Sequence, residues 1–255
     1  MYGQRAHYTV DFKKNIQYNK SVNTFERNFG CMNAEELKKP ISDKIAAALR
    51  IKILKGEYLN GEHLNEVRIA EEYNVSRGPV RDAVKMLEKE GFASTPRNGR
   101  TTAISFTKKD FLDFHELRFY IEKEAISNII RNADADPNFD AWLNAVGRYI
   151  SSMEKSMLHY DESIFNANDY RFHYALMQKA DNRIMMNVWE SYNGVRSAIM
   201  AVNSQYLSYE KVVDVIFGPH LDIYNSIKKR DVESAVKNVR IHMNNSINIY
   251  EAAYK

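Results

Sequence analysis

The run Leu64–Phe92, LNEVRIAEEYNVSRGPVRDAVKMLEKEGF, constrains this chain more than any other stretch. Leu64, Val67 and Ala70 put one apolar stripe on a short helix. Asn74 breaks that helix and Val75 packs the turn. Ser76 is the predicted N-cap of a second helix, with Pro79 tolerated in its first turn. Val80, Ala83, Val84 and Leu87 stripe this second helix, and Gly91 stops it. Two short helices joined by a tight turn suit a helix-turn-helix. Arg77 and Arg81 then lie at the start of the second helix, where such motifs touch base edges and phosphates. An ordinary helical hairpin with solvated arginines fits the same stripes.

The flanks extend the pattern. Pro40 opens a predicted helix striped by Ile41, Ile45, Ala48, Leu49 and Ile53, ending at Gly56. After Gly91, two β-capable runs flank Arg97-Asn98-Gly99-Arg100, a hairpin signal. The run Val75-Ser76-Arg77-Gly78-Pro79-Val80-Arg81-Asp82-Ala83, with Leu87, Glu90 and Gly91, resembles the winged helix of the GntR family of bacterial transcription regulators. The resemblance implies a hairpin wing and a DNA contact set of Arg68, Ser76, Arg77, Gly78, Pro79, Arg81, Arg97, Gly99 and Arg100. The family often has Arg or Lys on the preceding helix at a position that is Val67 here, beside Arg68.

Composition sets bounds. A chain of 255 residues with 44% hydrophobic content can bury one large core or two modest ones. A formal net charge of +3 does not by itself prove a nucleic-acid partner. The single cysteine, Cys31, excludes an internal disulfide framework and fits a reducing cytoplasm. No run is long enough to span a bilayer, so no membrane partner is expected. Residues 1–37 read as a polar N-terminal extension, either mobile or with a short strand at Tyr8–Phe12. Residues 38–106 read as the winged domain and residues 107–255 as a second, all-α domain.

Six antiparallel bundle helices are predicted, near Lys109–Arg131, Pro137–Tyr160, Ser163–Lys179, Arg183–Val202, Tyr209–Lys229 and Val232–Tyr250. The fold class is therefore mainly α, a winged helix-turn-helix followed by a helical bundle. Asp169 and His173 stand at i, i+4 on one helical face. His220 and His242 lie on later helices, and four such groups turned into one core would make a mixed N/O metal site. His7, His63, His115 and His159 match no ligand pattern. Each histidine taken singly is also an ordinary core or surface residue.

Three patterns resemble the FCD domain, the ligand-binding domain attached to GntR-type winged helices. They are Leu117-Arg118…Glu122, then Asp169-x-x-Phe172-His173 followed by Asn182, then His220…Ile227…Arg230-Asp231…Ala235…His242. The six-helix count resembles the VanR-like subgroup. The resemblance implies a metal held by Asp169, His173, His220 and His242, with zinc ahead of nickel, manganese or iron. It implies a small carboxylate effector beside the metal, with Arg118 and Asn182 as candidate contacts. Arg118 serves equally as the salt-bridge partner of Glu122, and Asn182 equally as a helix cap. The expectation is a cytoplasmic homodimer that binds double-stranded operator DNA, a repressor and not an enzyme. The alternatives are a metalloenzyme with Glu122 or Glu116 as base, or a metal sensor.

Overall fold

The computed structural model describes residues 39–97, 99–158, 161–203 and 212–253. The extension expected over residues 1–37, together with Cys31, Asn98 and His159, lies outside them. Helix α1 (Ile41–Leu54) follows Pro40, which caps it. Helix α2 (Glu66–Tyr73) starts at Asn65, whose side chain accepts from the Val67 and Arg68 amides. Asn74 closes α2 in the left-handed region at φ 52°, a conformation Asn tolerates through its short polar side chain. The recognition helix α3 (Arg77–Lys89) follows Ser76. Strands β1 (Ala93–Ser94) and β2 (Thr102–Ala103) pair antiparallel, with Ala93 opposite Ala103 and Ser94 opposite Thr102. His63 bridges to Thr102 and anchors the α1–α2 connection to the wing.

One sequence stripe needs correction. Helix α2 buries Ile69, Ala70 and Tyr73, whereas Val67 stands 45% exposed. The helix begins at Glu66, so Leu64 packs from the preceding turn and does not share a helical phase with Val67. On α1, Ile45, Leu49 and Ile53 are buried, but Ile41 is exposed and Ala48 only half-buried.

The second domain opens at Thr107, which forms a reciprocal capping box with Asp110. Its helices are α4 (Lys108–Arg131), α5 (Phe139–Leu158), α6 (Glu162–Lys179), α7 (Arg183–Ser191), α8 (Asn193–Asn203), α9 (Gly218–Lys228) and α10 (Val232–Ala253). A wide π-type turn, Val212–Phe217, runs into α9. Two departures from the sequence expectation stand out. The helix expected over Arg183–Val202 is split at Tyr192 into α7 and α8. The helix expected from Tyr209 has its first described turn, of π type, at Val212. A core cluster joins the halves: Ile45, Leu49 and Leu87 pack in one cluster with Phe111, Trp189, Ala198 and Ile199. A second cluster lies within the bundle, around Ile126, Val146, Phe172, Ile223 and Val239.

Candidate nucleic-acid interface and candidate metal centre

The recognition helix carries its apolar stripe inward and its arginines outward. Val80, Ala83, Val84 and Leu87 are buried, while Ser76, Arg77, Gly78 and Arg81 are exposed and Pro79 is half-buried. Glu66 of α2 faces both arginines, 3.2 Å from Arg77 Nη2 and 3.6 Å from Arg81 Nε. Ser76 makes no side-chain cap hydrogen bond, which leaves its hydroxyl available at the start of α3. Arg68 is exposed on α2, beside the exposed Val67. In the wing, Arg97, Gly99 and Arg100 are exposed, and Gly99 turns the chain at φ 82°, a backbone region glycine enters without strain. This is a cationic edge on a winged helix-turn-helix, the shape that enters a major groove.

The bundle interior is built differently. His173 on α6, His220 on α9 and His242 on α10 are buried, and their candidate ligand atoms lie within 4.8 Å of one another. His173 Nε2 is 3.1 Å from His220 Nε2. Asp169 Oδ1 lies 2.9 Å from His220 Nε2 and 3.9 Å from His173 Nε2. The His242 ring stacks on His173 and sits edge-on to His220, at 5.0 and 4.3 Å between centroids.

The outer nitrogens orient this cluster. His220 Nδ1 donates to the Ile216 carbonyl at 2.7 Å. His173 Nδ1 lies 2.8 Å from Glu122 Oε2. Inside the cluster, His173 Nε2, His220 Nε2 and Asp169 Oδ1 face one another. Two such nitrogens and a carboxylate oxygen are a donor set a cation would fit, and a carboxylate behind a ligating histidine is the usual support of such a site. Burial pushes His173 and His242 below the ordinary imidazole value, and for His242 the neighbouring His220 and His173 add to it. Neutral imidazole is the form that binds metal.

Two arginines neutralise the acids. Arg118 Nε donates to Glu122 Oε1 at 2.9 Å. Burial opposes ionisation of Glu122, yet Arg118 and His173 outweigh it and hold the group at about 2. Arg196 Nη1 donates to Asp169 Oδ2 at 2.5 Å. Despite burial, His220 and Arg196 hold Asp169 well below the usual carboxylate range. Of the two readings of Arg118, the structure displays the Glu122 pair. Asn182 caps α7, its oxygen accepting from the Met185 amide at 3.1 Å. The acids considered as general bases are engaged: Glu122 by Arg118 and His173, and Glu116 by Arg240, over the Phe119 ring.

Sequence reasoning missed Arg196. In the sequence Arg196 only flanks the stripe Val195, Ile199, Val202 of α8, and it is the fold that buries it against Asp169. Trp189 Nε1 and the Tyr192 hydroxyl are also buried, with no hydrogen-bond partner among the described residues.

A winged helix on a helical domain with a buried polar interior defines a DNA-binding regulator. The chain matches the model of the bacterial regulatory proteins of the gntR family over residues 41–103 and that of the FCD domain over residues 113–245. It belongs to the gntR family, with an FCD domain, and is a DNA-binding transcriptional regulator of that type. It is 27% identical to the HTH-type transcriptional regulator YdhC of Bacillus subtilis strain 168, over 77% of this chain and 84% of that protein. It is 24% identical to the gluconate operon transcriptional repressor of Bacillus licheniformis, over 79% and 80%. Among solved structures, Escherichia coli McbR/YncC has the same fold, with TM-score 0.63 at 15% identity over 85% of this chain and all of that one. Both Bacillus relatives carry the names of transcriptional regulators. No described helix is long and apolar enough to cross a membrane.

Proposed function

We propose that the protein is a homodimeric repressor whose operator affinity is set by a small carboxylate bound beside a divalent metal in the helical domain. The observation that carries this reading is the convergence of Asp169, His173, His220 and His242, all buried, with burial pushing His173 and His242 toward the neutral form and Asp169 held ionised. Three imidazoles and one carboxylate favour zinc, nickel, manganese or iron over calcium, and zinc best suits four protein ligands. Such an ion would supply fixed positive charge for an anion in a low-dielectric interior. Arg118 and the unpaired Tyr192 hydroxyl add donors for the effector's oxygens. The similarity to a gluconate operon repressor points to a sugar acid as the first effector to test.

The DNA half uses Arg77 and Arg81 for base edges and phosphates, with Arg68, Arg97 and Arg100 on neighbouring backbone. One winged helix reads a short half-site, so a two-fold dimer reads an inverted repeat. The metal arm is tested by titrating chelator-treated protein with zinc, where one ion per chain is expected. His220→Ala should lose zinc and gluconate response together while operator binding survives. Wild-type protein that retains none of zinc, nickel, manganese or iron would overturn the metal reading. A strictly monomeric species on operator DNA, by light scattering, would overturn the dimer.

A further inference from the structure

Helix α8 touches both halves of the molecule. On one side Arg196 donates to Asp169 Oδ2 beside the histidine cluster. The same guanidinium lies over the Tyr170 ring, 5.2 Å from its centroid, and its Nε donates to Asn193 Oδ1 at 3.3 Å in the first turn of α8. Next to Asn193, Gly194 lies against the guanidinium of Arg50. A Cβ on Gly194 would stand 2.7 Å from Arg50 Cζ and 2.8 Å from its Nε, closer than atoms pack. Arg50 belongs to α1 of the winged domain and is buried. It is not free to swing aside, because Nε and Nη2 hold the two oxygens of Glu90 at 2.5 and 2.7 Å. Glu90 is the C-cap of the recognition helix.

A continuous path therefore runs Asp169, Arg196, Asn193–Gly194, Arg50, Glu90. Behind it, Ala198 and Ile199 of α8 share one core cluster with Ile45 and Leu49 of α1.

We propose that α8 is the lever that couples the histidine cluster to the recognition helix. The inference rests on the metal reading above and supplies its regulation. Asp169, shared with a divalent cation at the cluster, would hold Arg196 less tightly, and the guanidinium would be repelled at short range in a low-dielectric interior. The displacement passes through Asn193 to the first turn of α8. There the missing side chain of Gly194 lets α8 and Arg50 touch, so a shift of one moves the other. Arg50 transmits the shift to Glu90 and thereby to the angle of α3. Packed elements of this kind switch between discrete arrangements and do not deform smoothly. The break between α7 and α8 at Tyr192 lets α8 move without dragging α7.

The experiment measures operator Kd with and without zinc, and zinc Kd with and without operator, for the full chain. Linkage requires the two factors to agree. In the wild type zinc should change operator Kd by about five-fold or more, in the range typical of allosteric coupling. Gly194→Ala, which pushes Arg50 off Glu90, should bring that factor to about two-fold or less, with zinc affinity kept within about two-fold. Arg50→Lys, which removes the bidentate grip and leaves the fold's charge unchanged, should do the same and stands in if Gly194→Ala does not fold. Zinc bound by all three proteins, with equal factors or with no effect on wild-type operator affinity, overturns the lever and leaves the metal site standing. Wild-type protein that binds no zinc overturns the metal reading, and the lever with it.

Discussion

Arg77 and Arg81 keep 58% and 56% of their side-chain surface in solvent, whereas Arg118 and Arg196 keep 5% each. The winged helix carries its cations outside an apolar core, where they cost little and lie ready for phosphate. The bundle carries cations and acids inside, where each ion gives up hydration that only a partner can offset. A core built for stability alone would place hydrophobic residues at those positions. The difference separates an outer face whose cations stay in solvent, as suits a polyanion, from an interior whose charges are each matched by a buried partner.

The comparison breaks first at Glu122. This carboxylate is wholly buried between Arg118 and His173. Glu122→Ala strands a buried guanidinium and should cost about 3–5 kcal/mol of stability in urea unfolding. A cost under about 1 kcal/mol would show that the buried network is not under electrostatic strain when opened.

The outer arginines should behave in the opposite way. Arg77→Ala with Arg81→Ala should leave the unfolding midpoint almost unchanged, since both side chains are exposed and, among the described residues, share Glu66 as their ion-pair partner. Operator affinity should fall by about 1–3 kcal/mol for each bidentate base contact removed. Wild-type operator binding by the folded double variant would remove α3 from the interface.

Acid should attack the bundle before the winged helix. Burial, helped by Arg118, pushes His115 down to about 3 against the hydrogen bond it makes to the Phe111 carbonyl. The unfolded chain takes that proton near pH 6.5. Between these values the unfolded state holds more protons, so stability is lost as pH falls from about 6.5 toward 3. The slope is up to about 1.4 kcal/mol per pH unit for each such histidine. His115→Gln should lower the slope by about one proton between pH 5 and 6; parallel curves for the two proteins would show that His115 does not carry it. His63, the described histidine of the winged domain, is exposed.

What the sequence displayed follows the same division. The winged helix is written locally: stripes, an Asn at the break, a Ser at the cap and an Asn-Gly turn occupy consecutive residues. Val67 was misassigned because its apolar side chain fits a stripe whose helix begins two residues after Leu64. In the bundle, Asp169 and His173 were legible as one turn of one helix. That His220 and His242 meet them was legible only through family resemblance, because spacing does not bring separate helices together. Arg196, Arg50 and the break at Tyr192 were not legible. Their cause is tertiary: Gly194 is where α8 meets a guanidinium from another domain. In a helical stripe a single Asn-Gly pair is only a weak signal to stop.

The smallest effects give the finest contrast, between two caps in the winged half. Asn65 Oδ1 accepts from the Val67 and Arg68 amides at 3.0 and 3.2 Å, so it satisfies donors that α2 would otherwise leave open. Ser76 starts α3 from the equivalent position and makes no such bond. Asn65→Ala should therefore cost about 1 kcal/mol of stability. Ser76→Ala should stay within about 0.5 kcal/mol of wild type. On DNA their order should reverse. The Ser76 hydroxyl and the open amides of the first turn of α3, where Pro79 supplies none, would meet a phosphate at the helix start. Ser76→Ala should lower affinity by about 0.5–1.5 kcal/mol, equally for all sequences, because a phosphate contact carries no base information. It neutralises no charge, so the salt slope should not change, whereas Arg100→Ala should lower that slope by roughly one. If Ser76→Ala destabilises as much as Asn65→Ala, the hydroxyl caps α3 in solution and is not held in reserve for DNA.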